Sequence, residues 1–216
     1  MIRDFTINEF YFILQGGIAT LLLSLIAFIG GGLGGLTIAL ARTCGIRAFR
    51  FASAAYIDFF QGTPLLMQLF VVYFGIAFLG FPLNPWVAVA IGLTLNASAF
   101  LGEIWRGGIE AVPRGQSEAA SALGLGYIHR VRNVVLPQAL RLSLAPTVGF
   151  MVQLIKGTSL AAIIGFTELS RSGQIISNAT YRPLLVFGIV GAIYFVICWP
   201  LSLLSGKLER KFSTAR

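Results

Sequence analysis

Charged residues are scarce in this sequence: Asp, Glu, Lys and Arg make up 11% of its 216 residues. Soluble domains carry about 25%, and a chain this poor in charge would precipitate from water. Histidine occurs once, at His129, which excludes any multi-histidine site within the chain. The two cysteines, Cys44 and Cys198, lie far apart in different hydrophobic regions and give neither a disulfide framework nor a metal pattern. A phosphate-binding G-x-x-x-x-G-K-[ST] loop is also missing, since Lys156-Gly157-Thr158-Ser159 has its lysine and glycine in the wrong order. What is abundant is apolar surface, with 56% hydrophobic residues and 18 phenylalanines, and a mean hydropathy of +0.84. Aromatics at 12% rule out low-complexity disorder as the source of the low charge. Lipid is the solvent that fits. The net charge of +8 then reports which loops face the cytoplasm before it says anything about nucleic acid, and no nucleic-acid partner is expected.

The gaps between charges locate the spans. No charge occurs between Glu9 and Arg42, Asp58 and Glu103, Arg141 and Lys156, or Arg182 and Lys207. A helix crosses the hydrocarbon in roughly 20 residues. The first gap holds one span, about residues 16–41. The second holds two, about 59–80 and 86–108, divided at Phe81-Pro82-Leu83-Asn84-Pro85, where two close prolines end a helix. A fourth runs from about 138 to 165 with Lys156 inside it, and a fifth from about 183 to 206. The expected fold is an all-α membrane protein of about five transmembrane helices, forming a single transmembrane domain over 1–216.

Orientation follows from the basic residues. Of 16 Lys and Arg, 12 fall on one side, from Arg42, Arg47 and Arg50 through Arg106, Arg114, Arg130, Arg132 and Arg141 to Lys207, Arg210, Lys211 and Arg216. Arg3, Arg171 and Arg182 fall on the other. The excess marks the cytoplasmic side, which puts the N-terminus outside and the C-terminus inside. Residues 1–9 carry both signs and no cleavage pattern, so the first span reads as a retained anchor.

The segment after the third span, about residues 113–136, is too long for a simple connection and carries helical signals of its own. Ser117 is a suitable N-cap with Glu118 in the first turn, and Gly124 is a natural stop. A second short helix is expected to end before Pro137. Ala119, Ala120 and Leu123 are expected on one side, a small apolar face that lets another backbone approach.

Glu118-Ala119-Ala120, three residues, Gly124, nine residues, Val134, one residue, then Leu136-Pro137 resembles the EAA loop of ABC importer transmembrane subunits. Val134 stands where isoleucine is usual. Four further stretches resemble the polar amino acid permease branch: Phe60-Gln61-Gly62-Thr63-Pro64-Leu65-Leu66, Gly102-Glu103-Ile104-Trp105-Arg106-Gly107-Gly108-Ile109 leading to Val112-Pro113-Arg114-Gly115-Gln116, Leu136-Pro137-Gln138-Ala139-Leu140-Arg141 and Leu154-Ile155-Lys156-Gly157-Thr158-Ser159-Leu160. The resemblance covers nearly the whole chain. It implies the type I importer permease fold and a dimeric pore of two five-span subunits, from two copies or from a sister subunit. It also implies two cytosolic ATPases that carry ATP and Mg, and a substrate-binding protein that delivers an amino acid at the bacterial inner membrane. No cofactor or metal is expected on this chain, and no catalytic residue. Glu118, Ala119, Ala120 and Gly124 would couple to the ATPase.

Among single residues Lys156 is the sharpest. It lies ~20 Å beyond Arg141 along the fourth span at 1.5 Å per residue, where a charge costs at least ~2.5 kcal/mol. Either it snorkels or pairs with a carboxylate, or it meets an anionic part of the substrate. Gly157, Thr158 and Ser159 can break the helix there and offer hydrogen bonds. The resemblance adds Asn96 as a contact, and Phe150, six before the lysine, as a pocket wall. That wall is acidic or amide-bearing in some basic amino acid and glutamine relatives, so phenylalanine favours acidic or neutral amino acids. Glu103, Arg106 and Glu110 at i, i+3 and i+7 read as an ion-pair ladder, ahead of a proton relay. Asp58 reads as an acid at a helix start, and Gly30-Gly31-Gly32-Leu33-Gly34-Gly35 as a packing seam or a bend. A self-sufficient channel or secondary carrier for a small polar solute is the rival function.

Overall fold

The computed structural model describes residues 4–213, and Arg3 and Arg216 of the charge tally lie outside the described residues. Helix α1 spans Ile7–Thr43. It starts nine residues before the expected span, where a capping box closes its first turn: Thr6 is the N-cap, and its N–H donates to Oε2 of Glu9, the third helical residue, at 2.9 Å. Its 37 residues measure about 55 Å, so it outruns a hydrocarbon core of about 30 Å.

Where a single second span is expected from residue 59, two helices meet instead. Helix α2 covers Arg47–Gly62, α3 covers Leu65–Phe78, and they bend by 106° at the junction. Pro64 is the cause: the residue before a proline is pushed out of the helical region, and Thr63 is extended at φ −116° and ψ 144°. Asp58 therefore lies in the last turns of α2, not at a helix start, and is exposed. A wide π turn at Val71–Gly75 interrupts α3.

Helix α4, Pro85–Glu110, begins with Asn84 accepting from the Trp86 N–H and with proline in its first turn. Helix α5, Arg114–Ala122, has Pro113 at its N-cap, four residues before the expected cap, so Ser117 is internal. Gly124 ends it at φ +76°, with the Leu125 N–H reaching the Ala120 carbonyl at 3.1 Å.

Helix α6 then runs unbroken over Tyr127–Ile164, through Pro137, where a stop is expected. Proline has no N–H for the carbonyl four residues back. A π turn at Val131–Val135 opens the helix just before it, and Gln138 Nε2 donates to the Val134 carbonyl at 3.0 Å. From Thr158 the helix tightens into a 3₁₀ turn instead of breaking, and Gly165 at φ +85° ends it.

Helix α7, Leu169–Thr180, is absent from the reading of the sequence. Its single charge, Arg171, and its serines make it resemble a loop. Helix α8, Pro183–Ser213, closes the fold. Four of these helices are long and apolar enough to cross a membrane, and the broken pair α2–α3 makes a fifth.

The main core joins α1, α3, α4 and α6 through Leu23, Leu69, Leu93, Leu101 and Leu154. A second cluster ties α7 to α1 and α8 through Ile13, Ile176 and Val190. Cys198 packs with Val152 and Ile155. The glycine run of α1 is a packing seam: a Cβ at Gly31 would lie 2.4 Å from Ala97 Cβ, and one at Gly35 2.9 Å from the Gly102 nitrogen.

Candidate translocation site and coupling surface

The α2–α3 break brings Phe60 and Thr63 opposite the middle of α4 and α6. A cavity of about 480 Å³ opens there, walled by Gln61, Asn96, Phe150, Gln153, Lys156 and Ser159, among others. Three of the five residues expected to contact substrate, Asn96, Lys156 and Ser159, offer polar groups in this wall, and Phe150 lines it as well. Phe150 stacks on Phe100 with ring centroids 5.3 Å apart and planes at 13°, which fixes a flat aromatic wall. Thr158 is placed elsewhere: it is wholly buried, and its hydroxyl donates to the Ile155 carbonyl at 2.7 Å. Ser159 Oγ likewise donates to the Lys156 carbonyl at 2.7 Å, leaving its lone pairs toward the cavity.

Lys156 is exposed in the cavity, and none of the ion pairs among the described residues involves it. The ladder at the end of α4 does form: Arg106 Nε donates to Glu103 Oε2 at 2.8 Å, and Nη1 to Glu110 Oε2 at 2.5 Å. That ladder lies outside the cavity, and among its described lining residues Lys156 is the one charged side chain.

Two polar groups escaped the sequence reading. Gln68 is buried on α3, and its Nε2 donates to the Phe60 carbonyl at 2.8 Å, the Thr63 carbonyl at 3.0 Å and Thr63 Oγ1 at 2.9 Å. Its Oε1 accepts from Asn96 Nδ2 at 2.9 Å. Asn96 is thus held by an amide partner that also clamps the helix break, with its own Oδ1 free for another donor. The available signal was simple: Gln68 is an amide in an otherwise apolar run.

Glu168 is the second. It is 0% exposed and caps α7, accepting from the N–H groups of Ser170 at 2.9 Å and Arg171 at 2.8 Å. Tyr194 Oη of α8 donates to the same carboxylate at 3.0 Å, and so does Thr20 Oγ1 of α1 at 3.4 Å, itself accepting from the Leu169 N–H at 3.2 Å. One acid therefore binds three helices together.

On the far side of the fold α5 packs on the opening turns of α6. Ala120 is 4% exposed and Leu123 82%; Glu118 and Ala119 are also exposed. The expected single face of Ala119, Ala120 and Leu123 is divided: Ala120 turns inward, while Ala119 and Leu123, one helical turn apart, share the outer surface.

The family model described as "Binding-protein-dependent transport system inner membrane component" matches residues 31–214. Among curated proteins, the "Probable amino-acid ABC transporter permease protein YckA" of Bacillus subtilis (strain 168) is 36% identical over 96% of this chain and 92% of its own. The "L-cystine transport system permease protein TcyB" of the same organism is 38% identical over 96% and 90%. Among solved structures, one described as "Crystal structure of an amino acid ABC transporter with histidines" superposes with a TM-score of 0.89 at 35% identity, covering 98% of this chain and 100% of that one. The family model and these relatives cover most of the chain, which belongs to the inner-membrane permease components of binding-protein-dependent ABC importers.

Proposed function

We propose that this permease carries a polar amino acid, acidic or neutral, inward through the cavity between α2–α3, α4 and α6. The observation that carries the reading is an unpaired lysine beside the amides of Asn96, Gln61 and Gln153 in one wall. A cation in an apolar setting is costly unless it meets an anion, and an amino acid brings a carboxylate. Amides satisfy the rest of a zwitterion, and the Phe100–Phe150 stack gives no counter-charge to a basic side chain. The names of the relatives, which include amino-acid, L-cystine and arginine transport, support an amino acid as the substrate, while the acidic or neutral preference rests on the cavity wall.

The chain works with a second permease copy or a sister subunit, a substrate-binding protein and two cytosolic ATPases that hold ATP and Mg. The ATPase docks on Glu118, Ala119 and Leu123, with Ala120 and Gly124 shaping the helix behind them. In this reading the N-terminus is outside and the C-terminus cytoplasmic, which the excess of Lys and Arg on one side supports.

The test is purification of the assembled transporter from its native membrane, with mass spectrometry of stoichiometric partners, followed by uptake in liposomes. We expect a cytosolic ATPase to co-purify with the unaltered chain and to be lost with Leu123→Asp, an exposed substitution that leaves the helix intact. Gradient-driven transport by liposomes holding this chain alone would instead establish a self-sufficient carrier.

A further inference from the structure

The proposed route leaves a second polar cavity unused. It has a volume of about 590 Å³ and lies where α1 ends, on the face that carries α5. Arg42, Cys44, Arg50, Glu110 and Arg114 are in its wall. Three guanidinium groups thus face one carboxylate, and that carboxylate is already taken by Arg106. Arg42 Nε is buried with no hydrogen-bond partner. A buried cationic donor without an acceptor is costly, and a phosphate oxygen forms the strong charge-assisted bond that relieves it.

We propose that this cavity binds the phosphate of an anionic phospholipid, with Arg42, Arg50 and Arg114 as its charge partners. A lipid is favoured over free phosphate by the flanking apolar surface. Beside Arg50, α2 exposes Phe49 at 57% and Phe51 at 77%, and Ile46 just before it at 57%. Side chains of this kind suit an acyl chain leading away from a headgroup, whereas a free anion makes no use of them. The cavity also lies where the first span meets the surface, the level at which basic pockets between helices take anionic headgroups. The inference borrows from the proposed function only the membrane topology. Lipid binding is read without transport, so either can fail alone.

The experiment uses the full-length chain in mild detergent. Native mass spectrometry measures retention of phosphatidylglycerol against phosphatidylcholine. In parallel, N-ethylmaleimide labelling of Cys44, inside the cavity, is followed with buried Cys198 as internal reference. We expect selective retention of phosphatidylglycerol and slower Cys44 labelling when it is present. Each arginine is worth about 1 kcal/mol at such a surface, about fivefold, so Arg42→Gln with Arg50→Gln should weaken retention about 30-fold. Arg182→Gln, which pairs with Asp4 at the other end of the chain's spans, should leave it unchanged. Equal retention of phosphatidylcholine, or unaltered selectivity in the double variant, overturns the proposal. So does protection of Cys44 by millimolar inorganic phosphate alone, or by the ATPase but not by lipid. Should the double variant not fold, the lipid selectivity of the unaltered chain and its protection of Cys44 decide the matter.

Discussion

Lys156 and Glu168 are both ionisable residues inside an apolar bundle, yet their chemistry differs. Lys156 opens to the cavity without an ion pair, whereas Glu168 is sealed among Ser170, Arg171, Thr20 and Tyr194. Replacing Lys156 by Met should leave assembly and thermal stability intact, because no partner is stranded. Uptake should fall at least about tenfold, the loss of roughly one charge-assisted contact. Transport equal to that of the unaltered chain would make Lys156 a snorkelling residue. Glu168→Ala should do the reverse damage. It strips the cap from α7, leaves the N–H groups of Ser170 and Arg171 without an acceptor and leaves the Tyr194 hydroxyl with Ser170 Oγ as its remaining partner, at a cost of about 1–3 kcal/mol. A melting temperature unchanged from wild type would show that the three-helix junction does not depend on the acid. Lys156 was legible because a lone charge in a long apolar run has few explanations. Glu168 was not, since it sits close to Arg171 at the end of such a run, where a carboxylate looks solvated.

Among the elements, the broken second span shows why hydropathy finds a crossing more readily than its shape. Thr63-Pro64 was in view, and a proline there dictates a break. The 106° turn and its lock come from Gln68, which reaches back across the break to Phe60 and Thr63 while holding Asn96. Gln68→Leu keeps the side-chain volume and removes these contacts. It should lower stability by about 1–3 kcal/mol through the stranded carbonyls, and it should weaken substrate binding further by freeing Asn96. Gln68→Glu retains the Oε acceptor for Asn96 and loses the donors, so it should recover binding more than stability. Equal effects of both variants on both measurements would separate Asn96 from the clamp. Helix α5, proposed here to dock the ATPase, gives a comparable lesson: a short helix was legible in the sequence after the third long span, but its start after Pro113 and the inward turn of Ala120 depend on how α5 lies against α6. For the same reason Leu123 is a cleaner docking probe than Gly124, whose φ of +76° penalises any side chain before a partner is reached.

Across the whole molecule, what joins the spans is backbone proximity. Lipid is as apolar as leucine, so burial alone does little to drive helices together, and small residues that let helices touch take over that role. Here Gly30, Gly31, Gly34 and Gly35 of α1 meet Thr94, Ala97, Ser98 and Gly102 of α4. The glycine run was visible in the sequence, but which glycines face α4 was not, because five in six residues occupy most of a helix's circumference. The structure separates them. A Cβ on Gly31 would stand 2.4 Å from Ala97 Cβ and 3.1 Å from its carbonyl carbon, whereas one on Gly32 would rest 3.6 Å from the Trp105 ring. Gly31→Ala must therefore push α1 and α4 apart, an overpacking cost of about 1–3 kcal/mol. Gly32→Ala fits an ordinary contact and restricts only the unfolded chain, so it should be neutral or stabilising by up to about 1 kcal/mol. Thermal unfolding of the two purified variants in the same detergent tests the seam directly. Matching shifts would mean that the glycines act through helix propensity alone; opposite shifts place the α1–α4 contact at the centre of the fold, beneath the cavity wall that Asn96 shares with Lys156.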